Sequence, residues 1–446
     1  MRLHQIRGHT GGYLRMIRID NAVIIPLPGQ YIDRGYIVIE KNTILHVGDD
    51  LPGHYQQADT VIDASGLLAI PGLINAHTHL AMTLLRGYAD DMPLLPWLHE
   101  KIWPAEARLK EEDIYWGSML GILEMIRGGT TSCADMYWQA PATARAIEKS
   151  GLRASICDVI IGLHPEADRL LAESIAFCRE WQGKADGRIT TMLGPHAPYS
   201  CPPNIMEKIV DASLELNVGL HIHLSETTAE VQESIDQYGK TPIAMMAGLG
   251  VLERPTLAAH CVHPVEDEID ILARFGVVVA HNPGSNMKLG SGIAPVPAML
   301  KAGIKTALGT DGAASNNNLD MFEEMRLAAL LHKAIEEDPT VIPAGQALSM
   351  ATEAGAAALR IKNLGSLKPG NLADIVLINL DKPHLTPHNN YTSDLVYSSE
   401  AADVDTVIID GRIILQGGLF TELDEEEIMA KATKRAKHLL RLPLDP

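Results

Sequence analysis

Histidines that could bind a metal ion recur in short motifs along the middle of the chain. His77 and His79 stand two residues apart in NAHTH, a spacing that puts both imidazoles on one side of an extended segment. His223 closes the motif HIH, and Asp311 supplies a carboxylate in GTDG. Imidazole and carboxylate suit Zn²⁺ or Fe²⁺, and such an ion lowers the pKa of a bound water toward ~7. These residue types therefore indicate hydrolysis by a metal-activated water.

Glu226 follows His223 by three residues and offers a carboxyl group next to this candidate metal site. There it could act as a general acid or base during hydrolysis. The alternative is structural, because the segment Ser225-Glu226-Thr227 could cap the helix that follows it. We favour the acid-base role because of the neighbouring histidine.

The surrounding segments predict an α/β fold, namely a (β/α)8 TIM barrel. Apolar β runs alternate with segments of helical period, which is typical of repeated strand-helix units and a parallel sheet. In such a barrel the active site lies at the carboxyl ends of the strands, and histidines occur at five of these ends with Asp311 at the eighth. That joint placement favours a metal site over isolated core histidines. The predicted strands are 68–75, 130–136, 154–160, 189–194, 218–224, 256–262, 277–281 and 305–309; the predicted helices are 111–127, 141–149, 167–181, 203–216, 228–249, 264–275 and 320–337.

Both ends of the chain read differently from the barrel. Residues 16–67 and 365–446 are rich in short β runs, and we expect them to form one composite β-sandwich on either side of the barrel at residues 68–364. Residues 1–15 show no clear period and receive no functional role. Whether they belong to the mature protein is left open.

Composition limits the classes of partner. The 446-residue chain has 37 Lys+Arg and 56 Asp+Glu, a formal net charge of −19. This charge repels phosphate backbones and anionic lipids, so we expect neither nucleic acid nor a membrane as partner. Five scattered cysteines without C-x-x-C spacing predict buried free thiols. With no recognisable export signal or spanning segment, we expect a cytoplasmic protein.

Two loop regions are candidates for lining a pocket. Residues 284–292 are rich in glycine but lack the G-K-S/T ending of a phosphate-binding loop, so they are interpreted as a substrate-lining loop. The long insertion 80–109 contains Trp97, Trp103 and Glu106. It predicts either a lid over the pocket or simple packing against the barrel.

Several motifs resemble those of the amidohydrolase superfamily, over nearly the whole chain from about Met16. PGLINAHTH at residues 71–79 and GSLKPGNLAD at residues 365–374 are similar to its first strand and to the entry into its C-terminal sandwich. Within the superfamily, the chain resembles the 5′-methylthioadenosine/S-adenosylhomocysteine deaminase group. The motifs that carry this closer resemblance are HTHLAMTLLRG at 77–87, GPHAPY at 194–199, HLSET at 223–227 and GTDGAASNN at 309–317.

The resemblance implies a role for each candidate residue in a metal-dependent amidohydrolase. His77, His79, His223 and Asp311 would be the ligands of one divalent metal, with zinc preferred to iron. The predicted fourth strand ends in Met192-Leu193-Gly194, without the lysine that bridges two metals in binuclear relatives.

The same resemblance implies the reaction and the remaining contacts. A metal-activated water would attack C6 of an adenosine-type nucleoside, giving the inosine analogue and ammonia. Asp311 would take the proton of this water, Glu226 would shuttle protons and His260 would hold the water. Glu106 would bind the ribose hydroxyls, His196 the purine ring and Trp97 another part of the substrate. A homodimer or tetramer is expected by the same resemblance.

Substrate choice stays open at this point. Asp158 stands about where a relative has arginines for the amino-acid tail of S-adenosylhomocysteine, and Arg169 is the only nearby candidate. Methylthioadenosine, S-adenosylhomocysteine and adenosine are therefore all retained. The rivals are a deaminase or chlorohydrolase of another nitrogen heterocycle, such as guanine or a triazine, and a non-catalytic binding or scaffold protein that has kept the barrel. The second is disfavoured because every expected metal ligand is present.

Overall fold

The computed structural model describes residues 16–442, so the expectations for residues 1–15 and 443–446 lie outside the described residues. The described part of the chain begins with five β strands, in the region that was expected to be rich in β structure. The first strand pairs antiparallel with the second and parallel with the fourth and fifth. These strands are β1 (Met16–Ile24), β2 (Ile32–Glu40), β3 (Thr43–Gly48), β4 (Thr60–Asp63) and β5 (Leu67–Pro71).

Nine further strands form a curled parallel sheet that builds an α/β barrel. Their order is β13-β12-β11-β10-β9-β8-β7-β6-β14. Asp311 of the last strand pairs with Thr78 of the first, so the sheet returns to its start. This topology confirms the predicted TIM-like barrel. The strands are β6 (Leu73–His79), β7 (Thr130–Tyr137), β8 (Arg153–Ile160), β9 (Ile189–Pro195), β10 (Gly219–Leu224), β11 (Thr256–His260), β12 (Val278–His281), β13 (Thr306–Leu308) and β14 (Asp311–Gly312).

The predicted first barrel strand, 68–75, is wrong. The chain forms β5 in the terminal sheet and only then enters the barrel as β6, with Gly72 between them. A Cβ atom at Gly72 would lie 2.1 Å from Thr131 Oγ1, so only glycine lets the chain cross between the two sheets at this point. As a result His77 and His79 lie inside strand β6 rather than after it.

Helices follow the barrel strands largely at the predicted places. The single helix predicted at 228–249 is wrong, because Gly239 ends one helix with φ 67° and Pro242 starts another. The α helices are α1 (Leu94–Trp97), α2 (Trp103–Glu106), α3 (Glu111–Arg127), α4 (Ala140–Ser150), α5 (Ala167–Trp181), α6 (Pro203–Leu216), α7 (Thr228–Tyr238), α8 (Pro242–Gly248), α9 (Glu268–Phe275), α10 (Pro283–Lys288), α11 (Val296–Lys301), α12 (Met321–Glu336), α13 (Ala344–Met350), α14 (Glu353–Ala358), α15 (Tyr391–Ser393) and α16 (Glu425–Leu440); shorter 3₁₀ or π turns are Gly53–Tyr55, Leu80–Leu85, Leu98–Ile102, Asp394–Ser398 and Ala401–Asp403.

Strands from the C-terminal part join those of the N-terminal part in one sheet. Its order is β18-β17-β16-β15-β5-β1-β2-β3, with β4 beside β1. The guanidinium group of Arg153, on barrel strand β8, bonds to the carboxylates of Asp374 and Asp410 and ties this sheet to the barrel. The predicted composite β-sandwich and the domain boundaries stay predictions. The added strands are β15 (Ile375–Asn379), β16 (Val404–Ile409), β17 (Arg412–Gln416) and β18 (Leu419–Phe420).

Two predictions from composition are confirmed within residues 16–442. All five cysteines are buried and free. In this part of the chain, no helix has both the length and the apolar character needed to cross a membrane.

Candidate metal centre and active site

Four side chains converge at the carboxyl end of the barrel. His77 and His79 lie on β6, His223 on β10 and Asp311 on β14. Asp311 Oδ1 is 3.3 Å from His77 Nε2 and 3.1 Å from His79 Nε2. His79 Nε2 is also 3.3 Å from His223 Nε2. The structure thus brings together the four residues that the resemblance implied as metal ligands.

His260, at the end of β11, belongs to the same cluster. One ligand atom from each of His77, His223, His260 and Asp311 can be chosen so that all lie within 4.8 Å of one another. The Nε2 atom of His260 lies 3.7 Å from Glu226 Oε2. His260 therefore stands between the metal-binding cluster and the candidate acid-base residue.

Two of these imidazoles have a defined tautomer. His79 Nδ1 lies 2.5 Å from Met136 O, and His223 Nδ1 lies 2.7 Å from His196 O. Because a backbone carbonyl oxygen only accepts, each Nδ1 carries a hydrogen and each neutral ring presents a lone pair at Nε2. Two lone pairs that face each other at 3.3 Å repel unless a proton or a metal ion lies between them. Histidines that bind a metal usually donate their other ring N–H to a carbonyl or carboxylate oxygen in this way, so these residues fit a metal ion.

The remaining polar atoms of the cluster agree with this fit. His77 Nε2 is buried and has no hydrogen-bond partner among the described residues, although Asp311 Oδ1 is near. Burial lowers the pKa of His77 to about 4, which keeps its ring neutral at physiological pH. Burial also opposes charge on His79, but its hydrogen bond to Asp311 outweighs this and raises the pKa of His79 to about 9. A proton or a metal ion can therefore compensate the Asp311 carboxylate.

Asp311 is held from behind by two hydroxyl groups. Ser285 and Ser315 each donate a hydrogen bond to Asp311 Oδ2, at 2.6 and 2.8 Å. The backbone of Asp311 adopts φ 61°, in the left-handed region that non-glycine residues rarely occupy. Backbone strain of this kind concentrates at functional sites. These contacts leave Oδ1 facing His77 and His79.

Glu226 is buried beside this cluster rather than solvated at a helix end. Ser291 donates a hydrogen bond to Glu226 Oε1 at 3.2 Å, and Thr227 is the residue that caps α7. Burial raises the pKa of Glu226, so its protonated form persists to higher pH than that of an exposed glutamate. The backbone N–H of Glu226 donates to Glu230 Oε2 at 2.7 Å, which fixes the segment. The side chain is thus placed for proton transfer.

A cavity of about 620 Å³, measured with its open mouth, contains these groups and part of the long insertion. Glu106, at the end of α2, lines it together with Trp97. Tyr137 Oη donates to Glu106 Oε1 at 2.7 Å, and Trp138 Nε1 donates to Glu106 Oε2 at 3.3 Å. Burial raises the pKa of Glu106, and these two hydrogen bonds act against that rise. The insertion therefore contributes pocket walls as well as packing.

The structure brings most predicted substrate contacts to this cavity, with one exception. His196 lines it and bonds through Nδ1 to Ser200 Oγ at 2.9 Å. Arg169 does not reach it, because its exposed guanidinium group on α5 pairs with Glu166 and Glu173, both at 2.6 Å. The prediction that Arg169 contacts the substrate in this pocket is therefore wrong. Among the described residues that line the cavity, none is Lys or Arg.

Sequence reasoning missed the residues that support the candidate groups. Ser315 belongs to the motif GTDGAASNN and Ser285 lies in the glycine-rich segment, but neither was assigned a role. Tyr137 and Trp138 stand where the second barrel strand ends, so the strand-end rule that found the histidines could have found them. Their contact with Glu106 joins distant segments and leaves no local signal.

The fold and this cluster define an α/β protein with a TIM-like barrel and a candidate metal centre at the carboxyl ends of its strands. A sequence profile described as the amidohydrolase family matches residues 68–414, and the chain belongs to that family.

Relatives at full length resemble the chain closely. A protein of Desulforudis audaxviator named 5-methylthioadenosine/S-adenosylhomocysteine deaminase is 53% identical over 425 residues, which is 95% of this chain and 98% of that protein. Among solved structures, an adenosine deaminase from Xanthomonas campestris with bound zinc is 34% identical, with a TM-score of 0.92 over 96% of this chain and 99% of that one. Atrazine chlorohydrolase from Arthrobacter aurescens, complexed with zinc, is 25% identical, with a TM-score of 0.88 over 94% of this chain and 100% of that one.

Proposed function

We propose that the protein hydrolytically deaminates an adenosine-type nucleoside, above all 5′-methylthioadenosine, to the inosine analogue and ammonia. The observation that carries the proposal is that His79, His223 and Asp311 line the same cavity as Glu106, which gives room for a reacting ring and a ribose together. The names of the relative from Desulforudis audaxviator and of the adenosine deaminase neighbour support the same reaction. A free purine base or a triazine has no ribose for Glu106 to bind.

The cluster would hold one divalent metal ion through His77, His79, His223 and Asp311. Zinc is the proposed ion, because both solved neighbours described above contain zinc. When bound, the ion supplies a Lewis acid that lowers the pKa of a water toward ~7.

The chain's own groups move the protons. Asp311 accepts a proton from the attacking water at Oδ1, because its Oδ2 is engaged by two serine hydroxyls. Glu226 in its protonated form donates to the ring nitrogen next to C6, and then helps ammonia leave. His260 lies 3.7 Å from Glu226 and holds the water on that side of the ring.

The other pocket residues bind and orient the nucleoside. His196 contacts the purine ring, Glu106 accepts hydrogen bonds from the ribose hydroxyls, and Trp97 forms part of the apolar wall. The lining offers no described cation for the carboxylate of an amino-acid tail, and Arg169 is committed elsewhere. The pocket therefore suits a methylthio group better than the tail of S-adenosylhomocysteine.

The sheet from the two ends of the chain is proposed to fold as the expected sandwich. Ile375 and Leu377 of β15 pack in one cluster with Ile17 and Ile39, whereas Val376 belongs to the barrel-side cluster. This division supports an apolar layer on each face of the sheet. The division into domains at 16–67, 68–364 and 365–446, the cytoplasmic location and the homo-oligomeric state remain predictions.

Ammonia release from a substrate panel tests the function. Zinc-loaded protein is assayed with 5′-methylthioadenosine, S-adenosylhomocysteine, adenosine, guanine and a triazine. We expect turnover of the nucleosides, and activity on only the last two would overturn the proposal. Glu106→Ala should cripple turnover of methylthioadenosine, whereas Glu100→Ala, at an exposed glutamate of the same insertion, should not.

A further inference from the structure

Glu106 is held by two consecutive residues of the barrel, Tyr137 and Trp138. The hydroxyl of Tyr137 and the indole N–H of Trp138 each donate to a different oxygen of its carboxylate, at 2.7 and 3.3 Å. Tyr137 is buried and Trp138 is partly buried, so neither hydrogen bond is open to full competition from solvent. Both residues also line the cavity that contains the histidine-aspartate cluster.

This arrangement depends on where strand β7 ends. Consecutive side chains of a strand point to opposite faces, so two neighbours do not normally reach one carboxylate. Strand β7 ends at Tyr137, and by Gln139 the backbone has turned into the left-handed region with φ 53°. The turn brings the Trp138 indole to the same side as the Tyr137 hydroxyl. Glu106 arrives from the insertion, so the contact ties this insertion to the barrel.

The lone pairs that remain on Glu106 match a pair of hydroxyl groups. An ionised carboxylate has about four lone-pair sites on its two oxygens. Tyr137 and Trp138 use one site on each oxygen. One site per oxygen then stays available, and the two lie in the plane of the same group. A vicinal diol presents two donors at neighbouring carbons and can satisfy both.

The two donors also keep the carboxylate charged in a buried place. Burial favours the neutral form of Glu106, in which one oxygen carries a proton and donates instead of offering its remaining site to a hydroxyl. Hydrogen bonds from Tyr137 and Trp138 stabilise the charged form. Removing either donor would let the carboxylate group rotate. It would also shift the group toward its neutral, protonated form.

We propose that Tyr137 and Trp138 are positioning residues that fix the Glu106 carboxylate for bidentate binding of the 2′- and 3′-hydroxyls of a ribose. The inference rests on the proposed nucleoside substrate. It makes the sugar specificity of the pocket a property of three residues, of which only Glu106 would touch the substrate diol.

The test compares methylthioadenosine with its 2′,3′-dideoxy analogue in zinc-loaded protein. Tyr137→Phe and Trp138→Phe should each raise KM for the riboside about tenfold, the usual effect of losing a hydrogen bond to a charged group, with kcat little changed. Each should lower kcat/KM for the dideoxy analogue clearly less than for the riboside, because the analogue has no diol for Glu106 to bind. Tyr115→Phe removes a half-buried hydroxyl outside the pocket and serves as the matched control. Calorimetric binding of the deaminated product should show the same pattern without turnover.

A double-mutant cycle separates positioning from a general structural effect. In the Glu106→Ala background, Tyr137→Phe should have no further effect on the riboside, because its target is gone. Equal losses on both substrates, or an undiminished loss in the Glu106→Ala background, would overturn the positioning role. If neither the parent nor Glu106→Ala shows a difference in kcat/KM between the riboside and the dideoxy analogue, the nucleoside proposal itself fails. If the parent prefers the riboside and Glu106→Ala has lost that preference, but Tyr137→Phe and Trp138→Phe keep it, only the present inference fails.

Discussion

The Nε2 atoms of His79 and His223 lie 3.3 Å apart, and the Nδ1 atom of each ring donates a hydrogen bond to a backbone carbonyl oxygen. The two strands therefore aim two lone pairs at one point beside Asp311. Protein interiors seldom tolerate such a pair without a cation, because buried acceptors lose their water and gain repulsion. A proton on one ring or a metal ion bound by both removes this repulsion, so the pair fits a metal site.

Removing the metal should abolish activity and weaken the fold. A ligand that binds only the native state stabilises it by about 4 kcal/mol at a free concentration a thousand times its dissociation constant. We therefore expect chelator-treated protein to release no ammonia from methylthioadenosine and to unfold at a lower temperature, with both properties restored by zinc.

The matching variant is His223→Ala, with His54→Ala, at an exposed histidine of the terminal region, as its control. His223→Ala should bind less zinc by metal analysis, and its melting temperature should respond less to added zinc than that of the parent. A zinc response equal to the parent's would contradict the assigned role of His223.

The serine hydroxyls behind Asp311 should be needed for turnover. Ser285→Ala and Ser315→Ala each remove a donor to Oδ2, so the carboxylate can rotate and its basicity at Oδ1 changes. From the usual strength of hydrogen bonds to charged groups we expect kcat to fall about tenfold for each. Ser118→Ala, at a buried serine bonded to Thr143, is the control in steady-state assays at saturating zinc. Unchanged kcat in both site variants would show that Asp311 needs no such support.

The strand-end rule explains what the sequence could reveal about this site. His77, His223 and Asp311 belong to short motifs at the ends of apolar runs, and parallel strands of a barrel place such ends together. The start of the first barrel strand was not predictable in the same way. Residues 68–75 were predicted as one strand, and the packing of Gly72 against Thr131 divides this stretch between two sheets.

Long-range polar contacts are the part that pattern reasoning could not supply. Tyr137 and Glu106 are separated by 31 positions, and Ser285 and Asp311 by 26. No periodicity links such pairs, since their approach depends on the path of the insertion and of the loop that contains α10. Arg169 shows the opposite error: it is near the expected place in sequence, but its position on α5 puts it among Glu166 and Glu173.

Glu226→Gln should separate proton transfer from binding. The amide keeps the size of the side chain but cannot donate and recover a proton, so kcat for methylthioadenosine should fall by about 10² to 10⁴. KM and zinc content should change little. Glu233→Gln, on the exposed side of α7, provides the comparison in the same assay. A loss below fivefold would remove Glu226 from the proposed acid-base role.

The pocket lining predicts a preference between the two thioether nucleosides. S-adenosylhomocysteine carries a charged amino-acid tail, and the described lining has no Lys or Arg to pair with its carboxylate. An unpaired charge next to apolar walls costs free energy, so kcat/KM should be at least about tenfold higher for methylthioadenosine. Competition between the two substrates in one reaction, followed by chromatography, measures the ratio directly. Equal consumption would mean that the tail stays in solvent.

Glu324 should make stability depend on pH in a defined direction. This buried side chain of α12 accepts hydrogen bonds from Gly284 N at 3.1 Å and Asn316 Nδ2 at 2.7 Å, and so joins the loops after β12 and β14. Burial raises its pKa from 4.5 to about 8. The native state then holds a proton that the unfolded chain has released, so its contribution is full below pH 4.5 and is lost as the pH rises through about 8.

Urea unfolding of the parent and of Glu324→Gln at pH 6 and pH 9 measures this contribution. The amide is neutral at both pH values, so the variant should lose less stability than the parent between them, by on the order of 2 kcal/mol. Glu324→Gln should also lower the stability by the same amount at both pH values. The NH₂ group of the new amide then faces one of the two donors that the carboxyl oxygens accept from in the parent. Glu323→Gln, at the exposed neighbouring glutamate, should keep the parent's pH dependence. If Glu324→Gln also keeps it, the proton is not held by Glu324, and its carboxylate must instead stay charged between the two loops.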